Sequence, residues 1–474
     1  MATEVLTPPA DAPAVAPAPP PAVSPDTRAA AGKALRDTVT REALGLWKAD
    51  KHRTSPIDIL KASDADRLPN LVPIRYGRML QSPFTFYRGA AAVMAADLAH
   101  AFTTDLRVQA CGDCHLVNFG GFATPERNVI FDINDFDETL PAPWDWDVRR
   151  LVASIVLAAR SIGLSDKQGR DSAIACARSY REHLKDFSEM DPLRLWYTQI
   201  TSDVFLQSAP QGERKRIRKR IDKAMARGGS ELAYPELAGV VGGQIHISEQ
   251  PPLIFHPEES KAPDFRKTIE DVLHAYRETL ADDRRALLDR YSFVDAAIKV
   301  VGIGSVGRRC WIALLMSESN SPLFLQIKES VASVLEPFAG KSLYPHHGQR
   351  VVMGQRLMQP ASDIFLGWVT APNGRHFYVR QLRDAKIKPL VETFNAELLE
   401  AYGGACGLVL ARAHAKASEI SVTISAYLGS SSDEFDEAMG EFAVAYADQT
   451  EKDHAALKAA VRKGKITVLE EEEA

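Results

Sequence analysis

Asp113, Asn118, Asp132, Asp135 and Asp137 fall within twenty-five residues of one another, in "CGDCHLVNFGG" and "NVIFDINDFDE". Carboxylate and amide oxygens are the donors of a hard cation. Mg²⁺ in particular binds through one or two carboxylates and completes its octahedron with water and substrate phosphates. Crowded carboxylates also repel, which a cation or a proton relieves. Each residue taken singly is open to the ordinary use of Asp and Asn in turns and caps; it is the density of the cluster that favours the cation. The same stretch contains "CGDCH", Cys111 to His115, which has the C-x-x-C-H spacing of a haem attachment site. Attachment needs an exported chain, and the N-terminus carries neither the basic segment nor the apolar stretch of a signal peptide. A redox dithiol gains its low pKa by opening a helix after a strand, and this pair does not. The two cysteines read as small packing residues in a loop.

A second constellation, "VVGIGSVGRRCWIALL" followed by "LFLQIKES", lies almost two hundred residues downstream. Gly302, Gly304, Ser305 and Gly307 stand between two strand-like runs, which predicts a β-hairpin tip and not the strand-to-helix turn of a dinucleotide fold. Such a tip lets backbone N–H groups approach phosphate oxygens closely. Lys328 sits in an otherwise apolar strand, where it costs desolvation unless a phosphate or carboxylate meets it. An Asp, an Asn five residues on and an Asp-Phe closing an apolar strand is also the spacing of a phosphotransferase's catalytic and metal loops. On that reading Asp113 takes the acceptor's proton, and Asn118 and Asp135, with Asp137 beside them, hold Mg²⁺.

Residues 1–30 hold eight of the 28 prolines among alanines, and cannot bury enough apolar surface to offset their ordering entropy. They are expected to form a disordered tail. Residues 31–290 read as a mainly helical lobe that carries both loops. Within it "LRVQA" and "NVIFDI" flank a glycine-containing loop as in a small hairpin, and Val148, Leu151, Val152, Ile155 and Val156 predict a core-facing helix. The basic stretch 213–227 reads as a solvated helix face, with a phosphate- or lipid-facing patch as the alternative. Residues 291–388 predict an antiparallel sheet of about five strands, with a hairpin at Asn373-Gly374 and a helix from His347 to Met358. Residues 389–474 return to helix and end on the acidic run Glu470–Glu473.

"CGDCHLVN" resembles the H-G-D-x-H-x-x-N catalytic loop of the protein-kinase-like fold, especially its aminoglycoside and choline phosphotransferases, retaining Gly112, Asp113, His115 and Asn118 and departing at Cys111. "INDFDE" resembles the metal loop. "PWDWDVRRL" resembles the helix after it, which implies that Asp147 braces the catalytic loop through backbone N–H groups. "LVLARAHA", with Leu410 and His414, is similar to the helix end that leads into that loop. Because the glycine loop and lysine follow the catalytic loop, the resemblance implies a circular permutation cut just before it, which is tolerable where backbone is exposed. The helix from His347 to Met358 has no acid to pair with Lys328, so Glu336 or Gln355 is the expected partner. The layout from about residue 35 onward, including "LVPIRYGRM", "SPFTFYRG" and "GQRLMQPASDIFLGW", looks like the bacterial domain-of-unknown-function family 2252.

The chain has 474 residues and a formal charge of −5, with five cysteines. That balance provides no chain-wide basic field for nucleic acid, and the odd cysteine count makes no disulfide framework. No apolar run approaches the roughly 18 residues of a membrane span. The expectation is therefore a cytoplasmic α+β protein with a protein-kinase-like two-lobed fold in permuted order, a helical lobe plus an antiparallel β-sheet lobe. ATP and Mg²⁺ are its expected ligands, with phosphoryl transfer to an acceptor that the sequence does not name. The resemblance implies catalytic roles for Asp113 and His115. A non-catalytic nucleotide sensor or scaffold, adenylyl transfer on the same fold and a metal-dependent hydrolase are the competing readings.

Overall fold

The structure, a computed structural model, describes residues 23–226, 234, 236–241, 244–382 and 386–469. Most of the expected tail and the run Glu470–Glu473 lie outside them. The last residues assigned to the tail are helical, however. The helix Pro25–Ala34 starts at Ser24, whose side chain accepts a hydrogen bond from Thr27 N, with Pro25 at the first helical position and Asp26 in the first turn. A Ser cap, a Pro and an acid start a helix with few apolar side chains, so the boundary placed at residue 30 cuts through an ordered element.

The fold is mixed α and β with antiparallel sheets. The strands are β1 Arg107–Ala110, β2 Phe119–Ala123, β3 Val129–Ile133, β4 Leu140–Pro143, β5 Ala238–Val241 and β6 Gln244–Ile247. They continue with β7 Ile254–Phe255, β8 Tyr291–Lys299, β9 Cys310–Ser317, β10 Pro322–Ser330, β11 Gly367–Thr370 and β12 His376–Gln381. Six of these form the principal sheet in the order β11-β12-β10-β9-β8-β7, one strand more than the sequence predicts. The short β7 adds to the edge through Ile254 and Phe255 opposite Lys299 and Ile298. "LRVQA" and "NVIFDI" do not pair with each other: β1 pairs with β4, and β2 with β3. Alternation marks a strand without naming its partner, which is set by the face each strand must bury.

The helices Phe265–Arg277 and Asp282–Leu288, assigned by sequence to the helical lobe, pack on the sheet instead. Ile269, Val272, Leu273 and Tyr276 form an i, i+3, i+4, i+7 stripe that shares a core with Ala296, Leu325 and Val379. The larger core joins the helix Trp144–Ser161 to the helices Asp166–Ser188, Ala396–Ala417 and Glu434–Arg462. Trp144–Ser161 is buried on nearly every side, Arg149 and Arg150 included. A helix so placed must satisfy its charges internally, and Arg149 does so partly through Asp145 one turn earlier, at 3.1 Å.

The helices Val72–Leu80, Pro83–Gly89 and Ala91–Leu98 lie against the β8–β9 hairpin tip. Ile303 shares a core with Tyr76 and Met79, and Val306 with Leu71 and Ile74. Leu68 N donates to Gly307 O at 2.8 Å. The basic helix Gln211–Ala226 has no buried residue and pairs Arg216 with Glu213 at 2.9 Å and Arg218 with Asp203 at 3.0 Å, the behaviour of a solvated face. Among the described residues no helix is long and apolar enough to cross a membrane.

Candidate active site

The loop from Cys111 to Asn118 connects β1 to β2 and is held from behind. Asp147, in the first turn of Trp144–Ser161, accepts Cys111 N on Oδ2 at 2.7 Å and Gly112 N on Oδ1 at 3.0 Å. His414 reaches the same carboxylate through Nε2 at 3.2 Å while its Nδ1 meets the Tyr180 hydroxyl at 2.9 Å. Gly112 has φ +84° and lies against the Glu138 carbonyl, so both its conformation and its contact exclude a side chain. The Asn118 amide donates to Asp113 O at 2.7 Å. The loop is thus pinned at both ends, with Asp113 at its turn.

Asp113, His115, Asn118, Asp135 and Asp137 line one cavity of about 310 Å³, and the hairpin-tip residues Gly302, Gly304 and Ser305 line it as well. Gly307 does not: it packs against the Arg67 side chain with φ +87°. Asp132 is also separate. It is fully buried and paired with Arg412 at 2.8 Å, which removes it from the acidic cluster in which sequence placed it.

Lys328, on β10, is 3% exposed. Its ammonium pairs with Asp137 and stands 3.9 Å from Asp135. Neither Glu336 nor Gln355 takes the role expected for it: Glu336 accepts from Ser333 N, and Gln355 bonds Gln359. The helix His347–Met358 contributes Arg350 instead, which donates to the carbonyls of Asp137, Thr139 and Val331 and so ties the acidic loop to the end of β10. Tyr378 donates its hydroxyl to Asp137 Oδ1 at 3.0 Å, and Ser305 Oγ reaches Oδ2 at 3.3 Å.

The electrostatics separate the carboxylates. Burial works against ionisation of Asp137, but Lys328, Arg380 and the Tyr378 hydroxyl outweigh it, and its carboxyl lies below the usual range. Asp135 is pushed up, first by burial and then by the charge of Asp137. Asp113 is pushed up by burial despite its ion pair with Arg150, whose Nε donates to Oδ1 at 2.6 Å. His115 is driven well below its ordinary pKa by burial and by the nearby Arg88 and Arg150, so its imidazole is neutral; Nδ1 has no hydrogen-bond partner and Nε2 lies 3.9 Å from Asp113.

The donors fit Mg²⁺ as an ion with one or two protein carboxylates, because Asp135 and Asn118 open onto the same cavity and the charge of Asp137 works against ionisation of Asp135, a repulsion that a cation would relieve. They are not a closed cage. Among the described residues, the group of three His, Cys, Asp or Glu ligand atoms lying within 4.8 Å of one another is Cys111, Cys114 and Asp147. That group is buried, and its carboxylate is already bonded to the loop N–H groups. Burial pushes the Cys111 thiol well up and Cys114 up to about 12, so both remain protonated packing groups. A second cavity of about 60 Å³ is apolar, lined by Phe131, Phe205, Ile217, Ile221 and Tyr402, among others; it contains none of this chemistry.

Sequence reasoning missed the cations around the site: Arg67, Arg75, Arg88 and Arg308 line the cavity, and Arg150 and Arg350 hold its acids. An arginine next to a tyrosine in an otherwise apolar helical run, as in "FTFYRG" or "PIRYG", is the available signal, since it reads as an expensive burial.

Residues 67–460 match the family described as "Uncharacterized protein conserved in bacteria (DUF2252)". No curated protein and no solved structure matches the chain.

Proposed function

We propose that this chain, which belongs to the DUF2252 family, is an ATP- and Mg²⁺-dependent phosphotransferase with a protein-kinase-like, two-lobed fold in permuted order. The observation that carries the reading is the meeting, in one cavity, of Asp113, Asn118 and Asp135 with a glycine hairpin tip almost two hundred residues away. Phosphoryl transfer is mostly positioning and charge stabilisation, so base, metal donors and phosphate clamp must share a site.

In the proposed reaction the acceptor hydroxyl oxygen attacks the γ-phosphorus of ATP. A new O–P bond forms, the bond to the β,γ-bridging oxygen breaks, the hydroxyl proton passes to Asp113 and ADP leaves. Bound Mg²⁺ would neutralise charge on the β- and γ-phosphates. Asn118 and Asp135 are its proposed holders, with Asp137 keeping Lys328 in place. Lys328 and the N–H groups of Gly302 to Ser305 are assigned to the phosphates. His115, neutral and beside Asp113, suits a positioning role.

A nucleotide sensor is the second reading, favoured by the Arg150 ion pair, which lowers the basicity of Asp113. Calorimetric titration with ATP tests the part common to both: binding is expected with Mg²⁺, and to weaken by about tenfold or more with EDTA or in Asp135→Asn. Binding indifferent to metal would point away from this site.

A further inference from the structure

We propose that the second cavity, where the basic helix Gln211–Ala226 meets the β2–β3 hairpin, binds a short-chain alkyl carboxylate, its tail among the aromatic rings and its head on Arg220. This does not depend on the phosphotransferase reading, because the residues lining this cavity are all different from those lining the one that contains Asp113.

The wall of the cavity is aromatic. Phe131 stacks on Phe205 with centroids 4.5 Å apart and meets Tyr402 edge-on at 5.4 Å, and Phe394 lies 5.3 Å from Tyr402. The Tyr402 hydroxyl donates to Phe119 O at 2.9 Å, so its hydrogen bond is already made within the protein. Ile217 and Ile221, one helical turn apart, bring the apolar positions of the basic helix to the same space. Close-packed interiors leave few voids of this kind, and one lined by apolar side chains stays dry and accepts an apolar guest. Size narrows the guest. An apolar cavity of roughly 150 Å³ takes a benzene ring; this one, at about 60 Å³, admits an unbranched chain of a few carbons.

Charge supplies the head group. Arg216 and Arg220 line the cavity from one face of the helix, and among the described residues no acid lines it. Glu213 pairs with Arg216 at 2.9 Å. Arg220 has no carboxylate partner among the described residues: its Nη2 donates to Lys388 O at 2.7 Å, and Glu392 acts on it through charge alone. Burial and the charge of Arg216 both work against its protonated form, a cost that an anion would relieve. One unpaired guanidinium calls for one negative charge, and its planar fork matches a carboxylate. An apolar pocket with a single placed charge is suited to a ligand that is apolar at one end and anionic at the other.

The test is calorimetric titration of the intact protein with hexanoate, 1-hexanol and acetate at fixed ionic strength. Hexanoate is expected to bind about tenfold more tightly than hexanol, the worth of one charged hydrogen-bonded contact, and acetate, which lacks the tail, more weakly than either. Arg220→Gln should weaken hexanoate by about tenfold and leave hexanol within about twofold, making the two alike. Ile221→Phe fills the cavity and should abolish binding of both without lowering the melting temperature; it keeps the contacts of Arg220 and decides the matter even where Arg220→Gln does not fold. Saturation with Mg²⁺ and AMP-PNP should leave hexanoate affinity within about twofold. Absence of hexanoate binding, binding no tighter than that of acetate, or binding unchanged in Arg220→Gln or in Ile221→Phe would overturn the proposal. Exclusion of hexanoate by AMP-PNP would overturn it too, giving the cavity to the nucleotide. Hexanoate binding that Arg220→Gln weakens, in a protein that binds no AMP-PNP, would uphold this site and remove the phosphotransferase reading.

Discussion

Asp113→Asn is expected to lower phosphoryl transfer by about 10²- to 10⁴-fold, the usual contribution of a positioned base, with affinity for Mg–ATP nearly unchanged. As the proposed base, Asp113 would act in the transition state, when the acceptor proton moves, so kcat should fall and ground-state binding should not. The substitution also leaves the buried Arg150 without its ionic partner. Arg150 keeps the Tyr87 carbonyl at 3.1 Å and the Tyr87 ring beneath it, so a modest loss of melting temperature should accompany the kinetic effect without explaining it. The pH profile gives an independent check. Burial pushes the Asp113 carboxyl up although Arg150 opposes it, and the base acts only when ionised. Activity should therefore fall, as pH is lowered, above the ordinary aspartate range, and Arg150→Met should move that limb higher. With the acceptor unknown, slow ATP hydrolysis or self-modification at saturating nucleotide is the readout; wild-type protein that binds Mg–ATP and shows no turnover, with Asp113→Asn indistinguishable from it, would leave the sensor reading in place.

Lys328→Met is expected to weaken nucleotide binding and to destabilise the fold by about 3 kcal/mol, the lower end of the cost of breaking a buried ion pair. The lower end applies because Asp137 is partly open to the cavity, its side chain 25% exposed, while Lys328 is sealed. The pH dependence follows from the sign of the shifts. In wild type Asp137 is depressed, so its stabilising contribution is present above the unfolded carboxylate pKa and is lost only as pH falls through the lower folded value. In the variant Asp135 and Asp137 keep Arg380 but lose the ammonium between them, so protonation is favoured more than in wild type and acid relieves them. The difference in urea stability between the two proteins should be largest near neutrality and shrink on acidification through the carboxylate range. A constant difference would mean that packing of the lysine stem, not its charge, is what the site uses.

Much of the scaffold was legible because local pattern is enough to fix it. The helix His347–Met358 and the hairpin turning at Gly374, φ +78°, lie where apolar spacing and turn chemistry put them. The site's acids were legible as a cluster because an Asp-rich run at a strand end has few structural uses. What remained hidden was pairing across the chain. Asp132 looks like its neighbours until Arg412, from a helix 280 residues on, neutralises it. Lys328 called for a carboxylate, but which one depends on how the sheet packs on the loop, and it is Asp137, from outside the sheet, that pairs with it. The helices 265–288 carry the right periodicity, yet periodicity does not say whether helices or the sheet receive the stripe. Arg308 was unreadable for a similar reason: an arginine in sequence is presumed solvated until folding closes over it.

The most direct measurement is a crystal structure of the protein with Mg²⁺ and AMP-PNP. The γ-phosphate is expected beneath Gly302 to Ser305, with Mg²⁺ on Asp135 and Asn118, Lys328 at the phosphates, and Asp113 facing the side of the γ-phosphorus opposite the bridging nitrogen. Nucleotide bound in another cleft, or in this one with its phosphates turned away from Asp113 and Asp135, would contradict it.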